Sequence, residues 1–366
     1  MSPKHPHSPQ PQETYCVTDD WILAPCPPPS EEHRAAAERR QNSLTKPQGA
    51  LGVLERLAIR LAALQGREKP QASKVPVVLF AGDHGITAQG VSAYPSAVTV
   101  EMLHNFARGG AAISVLAREQ GLELLVIDAG TLAGDEIAGV VADKPACGTR
   151  DFSREAAMSE AEALYALGAG RRAVARACAG GADLLILGEM GIGNTTAAAA
   201  IAAALLGKPA AEVVGAGTGV NDDGIARKAR VIADALERHG LLGEPAALKV
   251  LACVGGFEIA ALAGAMTAAA QARIPVLVDG FIVSAAALLA TRLNPSAAAW
   301  LIYSHRSGEQ GHRQLLDALG AEPILDLKLR LGEGSGAAVA LPVIRLACAL
   351  HAQMATFEEA NVSERA

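Results

Sequence analysis

Aromatic residues are scarce in this sequence: Phe, Trp and Tyr together make up 3% of its 366 residues. Hydrophobic residues still account for 50%, and the chain carries 37 glycines. Small apolar side chains allow helices to approach a parallel sheet closely, so this composition favours an α/β protein. The length fits one large domain with an appended helical element.

An excess of positive charge is also lacking. The chain has 32 Lys and Arg against 38 Asp and Glu, which gives a formal net charge of -6. This balance argues against nucleic acid and against an anionic membrane surface as partners. A small anionic substrate remains compatible, because a local site can be basic in an acidic protein.

Closely spaced cysteine pairs are absent. The six cysteines follow no CxxC pattern; they are Cys16, Cys26, Cys147, Cys178, Cys253 and Cys348. This spacing argues against a zinc site and a disulfide framework, and it favours a reducing compartment.

Long apolar runs and an apolar signal region are missing as well. Residues 1–12 are rich in Pro, His and Gln, and the longest apolar stretches, 195–206 and 259–270, are too short to span a bilayer. The sequence therefore predicts a cytoplasmic protein without a membrane span.

Four segments are expected along the chain. Residues 1–29 form a Pro-rich leader that we expect to be disordered, and residues 30–70 form helices, the first starting at Ser30. Residues 71–336 form a parallel α/β catalytic domain. Residues 337–366 carry a further apolar helix at the C-terminal end.

Short apolar runs alternate with helical stretches within the catalytic domain, which is the pattern of strands covered on both faces by helices. The strand candidates are residues 75–80, 122–127, 184–187, 212–214, 248–254, 275–278 and 300–303. Several end in Gly or an acidic residue, at the edge of the sheet where ligands bind.

One glycine-rich turn precedes an alanine-rich helix: Gly188-Glu189-Met190-Gly191-Ile192-Gly193-Asn194-Thr195-Thr196. Backbone amides at such a turn bind phosphate or carboxylate, and Asn194 and the threonines are candidate helix caps. The alternative is a tight turn without a ligand. The turn is neither a Walker A loop nor a GxGxxG fingerprint, so ATP and NAD are disfavoured.

A second turn, Gly215-Ala216-Gly217-Thr218-Gly219, precedes Lys228 on the next predicted helix. Amides with a nearby cation suit phosphate. A solvated helix face is the alternative for Lys228.

Two further motifs carry ionisable groups. Asp83-His84 follows the first strand and suits acid/base chemistry or the orientation of a loop, with no ligand cluster that would indicate metal. Leu331-Gly332-Glu333-Gly334-Ser335-Gly336 places a carboxylate on a backbone that can approach a ligand closely. This motif favours a functional role for Glu333, with Ser335 as a candidate helix cap.

Taken in order, these motifs resemble the nicotinate-nucleotide–dimethylbenzimidazole phosphoribosyltransferases, which build the lower ligand of cobalamin. The resemblance covers nearly the whole chain after the leader. It also includes Lys46-Pro47-Gln48-Gly49-Ala50-Leu51-Gly52, Val254-Gly255-Gly256-Phe257 and Leu277-Val278-Asp279-Gly280-Phe281.

The resemblance implies a Rossmann-like parallel sheet flanked by helices, a smaller helical domain from both chain ends, and a homodimer. It implies transfer of phosphoribose from nicotinate mononucleotide to dimethylbenzimidazole without cofactor or metal. Glu333 would be the general base and Glu189 a second acidic group. The implied substrate-binding residues are Asp83, His84, Tyr94, Met102, Met190, Gly191, Asn194, Thr195, Gly215, Gly217, Lys228, Asp279, Ser304 and Leu331.

Two positions depart from the family pattern. The best-known members have Ser where this chain has Tyr94 and Gln where it has Met102, and both positions line the azole pocket. A more apolar wall leaves the acceptor open: another azole, a purine or a phenol are alternatives. A nucleotide-binding homologue without activity is a further alternative, which the intact Glu333 disfavours.

Overall fold

The computed structural model describes residues 20–217 and 219–363. Its core is one parallel sheet of six strands: β1 Val77–Gly82, β2 Leu124–Gly130, β3 Val140–Ala142, β4 Leu185–Met190, β5 Val276–Val278 and β6 Leu301–Tyr303. The strand order is β3-β2-β1-β4-β5-β6. The predicted α/β class with a parallel sheet is confirmed.

Helices cover both faces of this sheet. They are α1 Glu31–Ser43, α2 Val53–Gln65, α3 Ala97–Arg108, α4 Ala112–Gln120, α5 Glu160–Ala177, α6 Asn194–Leu206, α7 Ala210–Val213, α8 Asp222–Arg238, α9 Ala247–Val254, α10 Phe257–Gln271, α11 Phe281–Leu293, α12 His312–Ala318 and α13 Ser335–Gln353. Two apolar clusters lie on opposite faces of the sheet, since Val78 and Phe80 of β1 belong to one and Val77 and Leu79 to the other. All six β1 residues are buried, as its continuous apolar sequence predicts.

Small residues set the closest helix contact. α10 packs on α5 so tightly that a Cβ on Gly170 would meet the backbone of Ala261, and one on Gly264 would meet that of Leu167. The small residues therefore allow helices to pack closely, as the alanine- and glycine-rich composition predicts.

Two strand predictions are wrong. Residues 248–254 lie in α9, and residues 212–213 lie in α7, with Val214 extended just after it. Both are short apolar runs, which periodicity alone does not distinguish from buried helical segments. β3 was not predicted, because it has only three residues at the edge of the sheet.

The N-terminal segment is ordered earlier than predicted. Residues 1–19 of the predicted leader lie outside the described residues, but a 3₁₀ helix spans Asp20–Leu23 and Ile22 is buried. The Asn294 side chain donates to the Ile22 and Ala24 carbonyls, and Trp300 Nε1 donates to the Pro27 carbonyl at 2.9 Å. Tertiary hydrogen bonds therefore fix residues that composition alone assigns to a frayed end.

The first helix starts where expected. Ser30 is the N-cap of α1 and its hydroxyl accepts a hydrogen bond from the His33 amide. The far end of the chain meets this helix, since Arg40 donates to the His351 and Ala352 carbonyls. α1 and α13 thus both pack on α2.

Within the described residues, one helix has the length and composition of a membrane span. This helix is α13, and 56% of its apolar window is buried inside the fold. It packs against α2 and α4, as a core helix of a folded domain does.

Candidate active site

The candidate site lies where the strand order changes direction. The chain runs from β1 outward to β3, then returns to β4 on the other side of β1. The carboxyl ends of β1 and β4 therefore flank the topological switch point, which is where open parallel sheets bind ligands. β4 contains Glu189 and leads into the glycine-rich sequence 188–196, which is called the Glu189 turn below. β1 leads into Asp83 and His84.

Glu333 is held beside this edge by a chain of glycines. Its own φ is +65°, and Gly332 and Gly334 have φ of +90° and +82°. A Cβ on Gly188 would overlap the Glu333 carbonyl, and a Cβ on Gly332 would overlap the Glu189 carboxylate. The two loops therefore interlock, and they bring together the two carboxylates that the resemblance assigns to the reaction centre.

Buried backbone donors fix the Glu333 side chain. Its Oε2 accepts from the Ile113 amide at 3.2 Å, at the start of α4. Burial raises the pKa of Glu333, the amide donors of α4 oppose that rise, and the Asp279 charge adds to it. The group is 5% exposed, so a small part of it remains accessible.

Asp279 accepts hydrogen bonds from the backbone of the Glu333 loop and of α13. Its Oδ2 accepts from the Gly334 amide at 3.1 Å and its Oδ1 from the Ala337 amide at 2.9 Å. It thus caps α13, whereas the suggested cap Ser335 donates to the Gly332 carbonyl instead. Burial raises the pKa of Asp279 to about 6, although these amides oppose the rise.

Glu189 is fully enclosed. Asn194 Nδ2 donates to its Oε2, so the Asn194 side chain is used here; Gly193 is the N-cap of α6, and no side chain caps that helix. Burial raises the pKa of Glu189 to about 8, and the nearby charges of Asp279, Glu258 and Glu333 contribute. The raised pKa favours the protonated form of Glu189 at neutral pH in the ligand-free protein.

A cationic group lies at the other end of the same turn. Lys228 Nζ is buried, donates to Thr195 Oγ1 at 3.0 Å and to the Gly215 carbonyl at 3.4 Å. Burial lowers its pKa to about 8, and the Glu309 charge opposes that shift. The alternative of a solvated lysine is thereby excluded. Gly215, Gly217 and Lys228, for which the resemblance implies phosphate binding, are called the phosphate grip below.

Asp83 and His84 face inward. Asp83 Oδ2 accepts from the Leu132 amide at 2.9 Å, and His84 Nε2 lies 2.7 Å from Glu258 Oε1 with both side chains fully buried. Burial alone would lower the pKa of His84, but the Glu258 carboxylate outweighs it and the pKa is raised. A Cβ on Gly191 would lie 3.3 Å from His84 Nε2, so the His84–Glu258 pair packs against the Glu189 turn. This arrangement favours the loop-orienting alternative.

The remaining predicted residues surround these groups unevenly. Met102 lies half-buried on α3, one turn beyond Thr99, whose Oγ1 accepts from the Ile192 amide of the Glu189 turn at 3.1 Å. Ser304 is buried after β6 beside His305 Nδ1 at 3.0 Å. Met190 is half-buried at the end of β4, whereas Tyr94 and Leu331 are 56% and 61% exposed. Their exposure places both at the surface of the single chain.

Glu258, Thr99 and Glu309 were missed by the sequence analysis. Each contacts the site only through the fold. Glu258 follows Gly255-Gly256-Phe257 and Glu309 lies between Gly308 and Gly311, but none of the motifs singled out in the sequence includes them. Two cavities of about 610 and 620 Å³ lie elsewhere, one between α2 and β6 and one beside Lys144.

The site has paired carboxylates at one end of a turn and a buried amine at the other, on a parallel α/β sheet. This arrangement indicates an enzyme, and comparison with known proteins identifies its class. The family model described as Phosphoribosyltransferase matches residues 26–362, and the chain belongs to this family.

Individual relatives are named more narrowly. The nicotinate-nucleotide–dimethylbenzimidazole phosphoribosyltransferase of Bradyrhizobium sp. (strain ORS 278) is 64% identical over 346 residues, 94% of this chain and 99% of that protein. The Pseudomonas putida enzyme of the same name is 56% identical over 350 residues, 95% of this chain and 99% of that protein. The crystal structure of the Thermus thermophilus enzyme superposes with a TM-score of 0.87 at 47% identity, covering 92% of this chain and 100% of that one.

Proposed function

We propose that the chain transfers the phosphoribosyl group of nicotinate mononucleotide to dimethylbenzimidazole, giving alpha-ribazole phosphate and nicotinate. The observation that carries the proposal is Glu333, a carboxylate held on left-handed backbone against Glu189 at the topological switch point. The names and identities of the relatives support the same substrates. The phosphate grip supports a phosphorylated donor.

The chemistry needs a base on the acceptor side. The pyridine nitrogen of nicotinate mononucleotide is cationic, so nicotinate leaves with the electron pair of the broken C1′–N bond and needs no acid. One azole nitrogen attacks C1′, and the proton on the other azole nitrogen passes to the Glu333 carboxylate. That carboxylate also opposes the positive charge of an oxocarbenium-like transition state.

The other carboxylic acids have supporting roles in this proposal. Glu189, protonated at neutral pH, adds no second negative charge beside Glu333 and is free to donate a hydrogen bond. Asp279 holds the Glu333 loop through the Gly334 and Ala337 amides. Holding donor and acceptor in line supplies the remaining acceleration.

Replacing the base with its isostere is the direct test. We expect Glu333→Gln to keep the KM for both substrates and to lose about 10²–10⁴-fold in kcat, the usual contribution of general-base assistance. Steady-state kinetics by nicotinate release measures this. Glu244→Gln, in an exposed loop, is the matched control and should keep full activity. Wild-type turnover by Glu333→Gln would show that another group takes the proton.

The acceptor is the finer part of the proposal. Met102 and Tyr94 favour an apolar, planar base, and dimethylbenzimidazole fits that description; other azoles, purines and phenols are the alternatives. Incubating nicotinate mononucleotide with a panel of these bases and identifying the nucleotides by mass spectrometry decides among them. Absence of nicotinate release with every base would instead favour a nucleotide-binding protein without activity.

We further propose that the protein acts in the cytoplasm as a homodimer, without cofactor or metal, and that α1, α2 and α13 form a small helical domain beside the catalytic domain of residues 71–336. The packing of α1 and α13 on α2 supports this division. The exposure of Tyr94 and Leu331 supports a site that a second protomer completes.

A further inference from the structure

A carboxylate lies inside the phosphate grip. Glu309 comes after β6 in the segment that leads into α12, and it is 8% exposed. Its Oε2 accepts a hydrogen bond from the Gly217 amide at 3.3 Å. The amide that should meet the donor phosphate therefore already binds an anion of the protein.

The neighbouring atoms leave little room around this carboxylate. A Cβ on Gly215 would overlap Glu309 Oε2, so the glycine is needed for the carboxylate to lie there. A Cβ on Gly217 would lie 3.0 Å from Lys228 Nζ and 2.6 Å from Thr195 Oγ1. An amide, a hydroxyl, an amine and a carboxylate thus share one small volume.

We propose that Glu309 is the resident anion of the phosphate grip: its carboxylate occupies the position of the donor phosphate in the ligand-free protein, and the phosphate must displace it to bind. The inference rests on the proposed function, since it assumes that Gly217 and Lys228 meet a phosphate.

Charge explains why exchange is required. A phosphate dianion beside an unmoved Glu309 would share Lys228 with it, and like charges a few ångströms apart in a partly buried site repel strongly. The dianion also has more acceptor oxygens than a carboxylate. It can therefore accept from the Gly217 amide, the Thr195 hydroxyl and the Lys228 amine together. An uncharged nucleoside offers neither advantage, so the exchange selects for phosphorylated donors.

The test is the affinity for inorganic phosphate, measured by isothermal titration calorimetry on the full chain. Glu309→Gln removes the competing charge, and we expect its Kd to fall by about tenfold or more, since repulsion at such distances exceeds the free energy of one decade. Glu309→Ala provides a second variant, should the glutamine fold poorly. Glu212→Gln is the matched control: it removes one exposed charge nearby, and its Kd should equal that of the wild type.

The outcomes separate this inference from the proposed function. Tighter phosphate binding by Glu309→Gln or Glu309→Ala, abolished by adding Lys228→Met, supports it. Unchanged, weaker or undetectable phosphate binding by these variants overturns it. Nicotinate release by the wild type is measured separately, so loss of the proposed function would appear there rather than in the comparison of Kd values.

Discussion

Glu333 is the residue where backbone and chemistry conflict most. A non-glycine residue at φ of +65° costs about 1–3 kcal/mol, and glycine at this position would avoid that cost. The carboxylate is therefore kept against local preference. Strain of this kind concentrates at functional sites, and here it aims the carboxylate at the edge of the sheet beside Glu189.

The raised pKa of Glu189 makes stability depend on pH. Its pKa rises from 4.5 in the unfolded chain to about 8 in the folded one, so between these values the folded state binds the extra proton. The contribution of Glu189 to the free energy of unfolding is fully present at low pH. It is lost as the pH rises from 4.5 to about 8. Glu189→Gln should lose this dependence, so its stability relative to the wild type should increase with pH.

Urea unfolding at several pH values measures that difference. The pKa of Asp279 is also raised, so Glu189→Gln keeps part of the pH dependence, and only the difference in stability between the two proteins is diagnostic. Glu244→Gln serves as the control for a lost surface charge. A constant difference across the window would mean that Glu189 is ionised throughout in the folded state.

Residue-level chemistry was predicted only where a local motif displayed it. Glu333 and Glu189 stand among glycines, and that signal suffices to find them. Glu258 lies in an apolar helix and meets His84 across 174 positions of sequence, and Glu309 reaches Gly217 across 92. No pattern within a short window records such encounters, because they exist only after the sheet has assembled.

Among the loops, the interlock between Gly332 and Glu189 is open to a matched test. Gly332 and Gly243 have φ of +90° and +92°, but only at Gly332 would a methyl group meet a neighbour, the Glu189 carboxylate. Each alanine variant should lose about 1–2 kcal/mol of stability from backbone strain. Gly332→Ala should lose about 1–3 kcal/mol more from overpacking.

Activity should separate the two variants further. We expect Gly332→Ala to lose most of its kcat, because the methyl group displaces Glu189 from the reaction centre, while Gly243→Ala keeps its kcat. Thermal unfolding and nicotinate release together measure both effects. Equal loss of stability and equal kcat in the two variants would contradict the interlock.

Elements were predicted best where a local signal marks one of their ends. α1 begins directly after its predicted cap, Ser30, and β1, which leads into Asp83, lies within two residues of its predicted position. α9 was read as a strand, because its apolar sequence is short and is buried on the face it turns to α5 and α6. Tertiary burial, which the sequence does not display, decides such cases.

At the scale of the molecule, Asn294 ties the N-terminal segment to the core. Its Nδ2 donates to the Ile22 carbonyl at 3.0 Å and the Ala24 carbonyl at 2.8 Å. Asn294→Ala should lower the free energy of unfolding by about 1–3 kcal/mol, because buried carbonyls lose their donor. Asn42→Ala, on the exposed face of α1, should change it little.

Urea unfolding measures the two variants, and nicotinate release checks that kcat is unchanged, since Asn294 lies at the opposite end of α11 from Asp279. A neutral Asn294→Ala would mean that its two hydrogen bonds to residues 22 and 24 contribute little to stability.

The central place of β1 also governs how the protein is made. β1, β2 and β3 leave the ribosome together, yet the second edge of β1 waits for Leu185–Met190, and Glu333 arrives later still. A nascent chain thus leaves one edge of the wholly apolar β1 unpaired until β4 is made, the kind of edge that recruits other chains. We therefore expect the nascent chain to depend on chaperones until the second edge of β1 is paired.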